Sequence, residues 1–274
     1  MNMNAPIGIF DSGLGGLTVF EEVRKLLPQE NLVYVADSAF APYGNKDDAI
    51  VVQRCESLAH YLIQTHTIKA LVVACNTATA AAIQTLRDQL GIPVIGMEPA
   101  IKPAVAVTQS GVVGVLATEN TLKSDKFSNL LDAHQHRARI ITQPCFGLVE
   151  AIEQGDLDSK RIKQLLQNYV QPLLDEGVDT FVLGCTHYPL LEQLIRELVG
   201  AQAYIISTGA AVAKQVQHTL KQDNIDNQEA HQPTHYFYTS GDAKHVETLA
   251  SKLSQQPMKM QPLPSLAELS SLSA

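Results

Sequence analysis

Short apolar runs alternate with longer amphipathic stretches along most of the chain. The short runs are rich in Ile and Val and predict buried β-strands at 7–10, 32–35, 70–74 and 93–96. Apolar positions recur with helical spacing at 17–27, 49–65 and 77–90. Strands that alternate with helices favour a parallel sheet covered by helices.

The same alternation starts again in the second half of the chain. Residues 7–12 (IGIFDS) match 113–118 (VGVLAT) at a shift of 106, and residues 72–77 (VVACNT) match 182–187 (VLGCTH) at a shift of 110. Buried strands all look alike, so the shared cysteine at the strand end is the more informative part. The nearly constant offset predicts a duplicated α/β unit. Further strands are predicted at 112–116, 139–141, 180–183 and 204–206, with helices at 123–131, 147–154, 162–176 and 190–199.

The fold class predicted from this pattern is α/β, with two similar, pseudo-symmetric domains built on mainly parallel sheets. The first domain is expected to comprise 1–98 plus 208–274, because a helical pattern at 210–220 crosses back to it. The second is expected to comprise 99–207. Ligands of open parallel sheets bind outside the carboxyl ends of the strands. We therefore expect the active site in the cleft between the domains.

Composition narrows the class of protein. The 274 residues are 45% hydrophobic and 18% charged, which is typical of a globular chain with a sizeable core. The formal net charge of -8 gives no sign of nucleic-acid binding. Without an uninterrupted apolar span or a leader-like N-terminus, we expect a cytoplasmic protein with no membrane partner. The four cysteines include no Cys-x-x-Cys pair, so free thiols are expected and no metal site is predicted.

Two cysteines occupy the predicted equivalent strand ends. Cys75 precedes a helix that starts near Asn76, and Cys185 lies four residues before Pro189, which suits a first helical turn. A helix N-terminus stabilises a thiolate, and its N–H groups can hold a carboxylate. A single cysteine at such a position is more often a small buried apolar residue. A pair suits proton chemistry at one centre approached from two sides.

Other ionisable residues near these positions are ambiguous. Asp11 is expected either to cap the following helix or to assist a thiol, and His187 either to cap a helix or to shift a proton. Glu150 and Asp37 have the surroundings of ordinary solvated carboxylates. Structural roles are predicted for the remaining cysteines, Cys55 and Cys145.

Four sequence blocks resemble those of glutamate racemases. They are FDSGLGGL at 10–17, APYG at 41–44, ACNTA at 74–78 and GCTHYP at 184–189. The resemblance extends over 7–213 and implies an isomerase that interconverts L- and D-glutamate without a cofactor. It also implies a supply of D-glutamate for bacterial peptidoglycan. The implied partner is the small-molecule substrate glutamate, and a homodimer is left open.

The resemblance also implies roles for individual residues. Cys75 is implied to handle the proton of the D-isomer and Cys185 that of the L-isomer. Asp11 and His187 are implied to assist the two thiols, with Glu150 as a further supporting carboxylate. The implied substrate contacts are Asp11, Ser12, Tyr43, Gly44, Asn76, Thr77, Thr118, Thr186 and His187.

Two departures and several alternatives accompany this resemblance. Ala117 stands where the family commonly has Gly, and Ser207 lies in a segment that often contains Asp. Neither position carries the proton transfer, so the two departures concern how the substrate fits the site. The nearest alternative is a racemase of aspartate or another amino acid. A non-catalytic amino-acid-binding protein would not need two thiols, and a thiol hydrolase would leave the second thiol idle.

Overall fold

The computed structural model describes residues 2–228, 231–254 and 256–264. The chain divides into two compact units, Met1–Met97 with Gly209–Ala274, and Glu98–Thr208. The last ten residues of the predicted first domain, 265–274, lie outside the described residues. No helix in the described part of the chain is both long enough and apolar enough to cross a membrane.

The strands alternate with helices in chain order. The strands are β1 (Ile7–Asp11), β2 (Leu32–Ala36), β3 (Ala70–Val73), β4 (Val94–Ile95), β5 (Val112–Ala117), β6 (Arg139–Pro144), β7 (Thr180–Gly184), β8 (Tyr204–Ile206), β9 (His235–Thr239) and β10 (Met260–Pro262). The helices are α1 (Leu17–Leu26), α2 (Asp48–His66), α3 (Asn76–Gln89), α4 (Ile101–Val107), α5 (Glu119–Lys123), α6 (Asp125–Asp132), α7 (Leu148–Glu153), α8 (Lys160–Asp175), α9 (Glu192–Val199), α10 (Gly209–Gln222) and α11 (Ala243–Ser254). Short 3₁₀ helices cover Ser38–Phe40, Tyr43–Asn45 and Tyr188–Leu191.

The first unit is a six-stranded sheet between two layers of helices, with the strand order β10-β9-β2-β1-β3-β4. Every neighbouring pair in this sheet is parallel. Alternate residues of β1 face opposite layers: Ile9 packs with α1, α10 and α11, whereas Phe10 packs with α2 and α3. Because both faces are covered, the strands are apolar at consecutive positions rather than alternately apolar and polar.

The second unit repeats this plan around a four-stranded parallel sheet with the order β6-β5-β7-β8. Helices α7, α8 and α9 cover one face, where Phe181 is buried, and α4 and α6 cover the face that buries Val182.

The two sheets share their central connectivity, because β2-β1-β3-β4 and β6-β5-β7-β8 follow the same order within each repeat. A glycine occupies the same place in both first strands. A Cβ on Gly8 would lie 2.8 Å from Ile68, and one on Gly114 would lie 3.0 Å from Leu173 and Val178. The prediction of two similar α/β units with parallel sheets is confirmed.

Some local elements differ from the sequence prediction. The helix expected at 123–131 begins at Asp125 instead, because Ser124 ends α5 and caps α6 by accepting a hydrogen bond from the N–H of Phe127. Helix α4 was not predicted, since Lys102 and Pro103 interrupt its apolar pattern. Pro103 lies in the first turn of α4, where its missing N–H has no helical partner to lose. Strand β10 was also missed because only three residues form it.

Candidate active site

Cys75 is the N-cap of helix α3, two residues after the end of strand β3. Its backbone is extended, and its Sγ accepts a hydrogen bond from the N–H of Ala78 at 3.4 Å. The same Sγ lies 3.8 Å from Oγ of Ser12, towards which its S–H can donate. The thiol is 5% exposed. A helix N-terminus with an N–H directed at sulfur favours the thiolate form.

Asp11 and Ser12 form the neighbouring side of this arrangement, at the end of strand β1. Oδ2 of the buried Asp11 accepts hydrogen bonds from the N–H groups of Gly16 at 2.8 Å and Gly13 at 3.3 Å. Ser12 donates to Oδ1 at 3.4 Å. The hydroxyl of Tyr34 fixes the loop further by donating to the carbonyl of Gly13 at 2.6 Å. The structure therefore brings Asp11, Ser12 and Cys75 together.

Asn76 and Thr77 form the first turn of α3, and both are buried. Neither Oδ1 nor Nδ2 of Asn76 has a hydrogen-bond partner among the described residues. A buried amide without a partner is costly, and natural proteins retain few of them. An amide placed beside the thiol of Cys75 is suited to a polar ligand that supplies the missing hydrogen bonds.

Tyr43 and Gly44 lie in the 3₁₀ helix that follows β2, where Tyr43 is buried. The hydroxyl of Tyr43 donates to Oδ2 of Asp37 at 2.5 Å. Burial, together with the neighbouring Asp37 carboxylate, raises the pKa of Tyr43 well above its usual value, so the phenol remains a donor. The expectation that Asp37 is solvated was wrong. Its side chain is fully buried and paired with Arg54 at 2.6 Å.

Cys185 follows strand β7 as Cys75 follows β3, but its surroundings differ. Pro189, which was expected in a first helical turn, lies in a 3₁₀ helix that precedes α9. Sγ of Cys185 lies 3.8 Å from Nδ1 of His187. Nε2 of that imidazole lies 2.6 Å from Oε1 of Glu153. The second unit thus places thiol, imidazole and carboxylate in a chain.

The partners of His187 favour its charged form. Burial alone would lower the pKa of the imidazole, but the hydrogen bonds to Cys185 and Glu153 raise it well above its usual value. Both ring nitrogens of an imidazolium are donors, which matches an acceptor on each side. His187, bound to Glu153, can therefore stabilise a thiolate at Cys185 or return a proton to it.

The carboxylate at His187 is one that the sequence analysis missed. Glu150 and Glu153 both lie in α7, one helical turn apart, and Glu153 makes the hydrogen bond. The available signal was their shared spacing, which places both carboxylates on one side of the helix. Nothing local distinguishes them.

Two threonines predicted to contact substrate also lie at strand ends of the second unit. Thr118 follows β5 and caps α5, where its Oγ1 accepts from the N–H of Thr121 at 3.4 Å. Thr186 is buried between Cys185 and His187. The strand ends that carry them are neighbours, because Ala117 of β5 pairs with Gly184 of β7.

The remaining cysteines have surroundings that suppress ionisation. Burial raises the pKa of the thiols of Cys55, inside α2, and Cys145, after β6. All four cysteines carry free thiols. Among the residues described, no group of three or more His, Cys, Asp or Glu side chains could hold a metal ion.

Comparison with known proteins assigns the chain to a family and agrees with the fold. A model of the Asp/Glu/hydantoin racemase family matches residues 16–216. The match over this length defines the chain as an amino-acid racemase, an enzyme of the isomerase class.

Individual relatives and solved structures that resemble this chain are glutamate racemases. The chain is 52% identical to a glutamate racemase of Ectopseudomonas mendocina over 89% of this chain and 93% of that protein. It matches the crystal structure of glutamate racemase isoform RacE1 from Bacillus anthracis with a TM-score of 0.88 and 32% identity, covering 96% of this chain and 98% of that one. Glutamate racemase from Francisella tularensis in complex with D-glutamate matches with a TM-score of 0.81 and 27% identity, covering 96% and 98%. The chain belongs to the Asp/Glu/hydantoin racemase family, and the resemblance to glutamate racemases is confirmed.

Proposed function

We propose that this protein is a glutamate racemase that inverts the α-carbon by proton transfer between two cysteines. The observation that carries the proposal is the repeated position of Cys75 and Cys185, each within two residues of the end of the third strand of its unit. Two supports for glutamate as substrate are the 52% identical relative of that name and the related enzyme with D-glutamate bound.

The proposed reaction needs one thiolate and one thiol at a time. With L-glutamate, the thiolate of Cys185 removes the α-proton and the thiol of Cys75 delivers a proton to the opposite face. The C–H bond breaks on one face and forms on the other, so one thiol and one thiolate exchange roles. D-Glutamate reacts in the reverse sense. The mechanism requires both sulfurs to reach one α-carbon, and in this proposal the thiols make both proton transfers without a cofactor.

The neighbours of each thiol have matching roles in the proposal. Asp11 and Ser12 assist Cys75, to which Ser12 is adjacent. His187 assists Cys185, and Glu153 orients its imidazole through the 2.6 Å contact. Glu150, the carboxylate implied by sequence resemblance, stays a separate prediction.

The α-proton of an amino acid is weakly acidic, so negative charge must be stabilised as it develops on the substrate carboxylate. We propose that the N-terminus of α3, with Asn76 and Thr77, supplies part of this stabilisation. The unpartnered amide of Asn76 supports this role. The other proposed substrate contacts are Ser12, Tyr43, Gly44, Thr118, Thr186 and His187. The proposed product, D-glutamate, would serve cytoplasmic synthesis of peptidoglycan precursors.

The proposal is tested by incubating the reduced protein with L-glutamate in D₂O without pyridoxal phosphate. We expect loss of the circular dichroism signal of L-glutamate and replacement of the α-proton by deuterium in the NMR spectrum. Cys75→Ser and Cys185→Ser should each reduce turnover by about 10²–10⁴-fold or more, which is the usual contribution of a general acid or base. Cys145→Ala is the matched control, because this buried thiol takes no part in the proposed reaction.

Retained optical rotation with an unchanged α-proton would reject glutamate as substrate. Aspartate would then be assayed in the same way, and binding without exchange would favour an amino-acid-binding protein. Full racemisation by either Cys→Ser variant would reject the two-thiol mechanism while leaving the substrate assignment intact.

A further inference from the structure

A buried ion pair holds the segment that carries Tyr43 and Gly44. Arg54, in helix α2, donates from Nε to Oδ2 of Asp37 at 2.8 Å and from Nη2 to Oδ1 at 2.6 Å. The side chains are 3% and 0% exposed. Such a two-point contact fixes the direction of the carboxylate as well as its position.

Two further side chains of the segment converge on this pair. The hydroxyl of Tyr43 donates to Oδ2 of Asp37 at 2.5 Å. The ring of Phe40 lies against the guanidinium of Arg54, with 3.9 Å between the ring centroid and Cζ. Asp37, Phe40 and Tyr43 all belong to the connection between β2 and α2. Arg54 therefore anchors this connection to helix α2.

The anchored segment, residues 37–45, begins next to the Cys75 side of the candidate site. The backbone N–H of Asp37 donates to the carbonyl of Asp11 at 2.9 Å, because β2 and β1 are parallel neighbours. The chain then runs from Asp37 to Tyr43 and Gly44, which are proposed to contact substrate. A shift of this segment would therefore move substrate contacts without moving either thiol.

The ion pair is poorly suited to a purely stabilising role. Desolvation of two charges offsets much of their attraction, so a buried pair often contributes no more than apolar residues of similar volume. The guanidinium also keeps one buried nitrogen, Nη1, without a hydrogen-bond partner among the described residues. An unmatched buried donor costs free energy. What the pair supplies is a fixed orientation for Asp37 and, through it, for Tyr43.

We propose that Arg54 is a positioning residue for glutamate binding, which holds the 37–45 segment in its binding geometry through Asp37 and the hydroxyl of Tyr43. The inference rests on the proposed function and assigns Arg54 no contact with substrate. Lysine should not replace it, because an ammonium cannot make the two-point contact or stack on Phe40 in the same way.

A second buried ion pair in the same unit provides a matched control. Nζ of Lys69 lies 2.6 Å from Oε2 of Glu30, and the side chains are 0% and 2% exposed. Lys69 immediately precedes β3 and Glu30 precedes β2, so this pair lies at the amino ends of the strands. The Arg54 pair lies at the carboxyl ends, where the candidate site is. Loss of either pair should affect stability, but only one should affect substrate binding.

The test compares Arg54→Met with Lys69→Met in the full chain, using L-glutamate racemisation and thermal unfolding. We expect Arg54→Met to raise KM about tenfold with kcat within about threefold, which is the pattern for loss of binding energy common to ground and transition states. Arg54→Lys should raise KM similarly. Lys69→Met should lower the unfolding temperature while KM changes less than about twofold.

Equal KM values for the Arg54→Met and Lys69→Met proteins would overturn the proposal, as would a fall in kcat alone. If the Arg54 variants do not fold, Asp37→Asn decides the question. It keeps the shape of the side chain but replaces one of the two oxygens that accept from Arg54 and Tyr43, and Asp37 has no proposed substrate contact. An unchanged KM would overturn the proposal, and a raised KM would support it. A wild-type protein that does not racemise glutamate refutes the proposed function instead, before any variant is compared.

Discussion

The two strand-end thiols occupy equivalent positions in a repeated fold but have different electrostatic surroundings. Cys75 caps a regular helix and has a backbone N–H and the hydroxyl of Ser12 beside it. Cys185 has instead the imidazole of His187, which is bound in turn to Glu153. The same thiol thus lies at the same strand end of both units, but the groups that contact its sulfur are dipolar at Cys75 and an ionisable imidazole at Cys185.

This difference means that the two thiols should respond differently to pH and to substitution. A helix N-terminus and a hydroxyl keep their dipoles at every pH, whereas an imidazolium loses its charge when it is deprotonated. In the proposed racemisation every turnover uses both thiols, whichever enantiomer is the substrate. The steady-state rate therefore does not separate the contribution of one thiol from that of the other. Separating them requires a reaction that uses one base only.

The largest expected effect comes from such a one-base reaction. In a glutamate with chlorine at C3, one base removes the α-proton, the C3–Cl bond breaks, and chloride leaves. The resulting enamine hydrolyses to 2-oxoglutarate and ammonia. We expect Cys185→Ser to reduce this elimination by about 10³-fold with the L-configured substrate, as for loss of a general base, and to spare the D-configured one. Cys75→Ser should show the opposite preference.

Release of 2-oxoglutarate, followed with a coupled dehydrogenase, measures each rate. The Cys145→Ala protein should eliminate chloride from both substrates at the wild-type rate. If both Cys→Ser variants lost both reactions equally, the assignment of one thiol to each enantiomer would be wrong.

The fold was largely predictable because local patterns determine it. Strand-helix alternation and the offset between the repeats predicted the parallel sheets and the equivalent positions of Cys75 and Cys185. The alternation depends on residues close together in sequence, and the offset follows from comparing the chain with itself. Helix α4 escaped the prediction because Pro103 interrupts its pattern, although the first turn of a helix tolerates proline.

The partners of the site residues were less predictable because they depend on packing between distant segments. Glu153 meets His187, which is 34 residues away, and a one-turn change along α7 would have presented Glu150 instead. The sequence indicated a solvated carboxylate at Asp37, because its partner Arg54 lies 17 residues later in the chain. Residue types and spacing identified candidates, and only the three-dimensional arrangement paired them.

A smaller effect is expected from the ionic partners of Cys185. His187→Asn should reduce turnover about 10²-fold, the lower end of what an acid/base group contributes. Glu153→Gln should reduce it about tenfold, because the amide keeps a neutral hydrogen bond to the imidazole and the loss lies at the lower end of the roughly 1.5–3 kcal/mol that a hydrogen bond to a charged group contributes. Racemisation measured by circular dichroism gives both values.

Glu150→Gln provides the decisive comparison for this part of the site. Both carboxylates are on α7, so the two substitutions change the helix in the same way. A larger loss of activity in Glu150→Gln than in Glu153→Gln would favour the carboxylate implied by sequence resemblance over the one that contacts His187.

On the Cys75 side, overpacking next to Asp11 is expected to lower stability. A Cβ on Gly16 would lie 2.6 Å from Cβ of Asp11 and 2.9 Å from the hydroxyl of Tyr34. Gly16→Ala should therefore displace Asp11 and lower the free energy of unfolding by about 1–3 kcal/mol, as overpacking does. Gly91→Ala is the control, because nothing lies within 4 Å of its added Cβ. Equal unfolding midpoints in urea for the two variants would show that the loop between β1 and α1 accommodates a Cβ at Gly16.

The smallest expected effect is a pH dependence of stability that belongs to the Cys185 side. The pKa of His187 is raised in the folded protein, so its stabilising contribution is complete below the ordinary value of about 6.5. It is lost as pH rises through the folded pKa, by at most about 1.4 kcal/mol per pH unit. The unfolding free energy of the wild type, measured in urea between pH 6 and 9, should fall more steeply than that of His187→Asn. Parallel curves for the two proteins would mean that the imidazole is not held charged, and the contrast between a dipolar and an ionic thiol would then be lost.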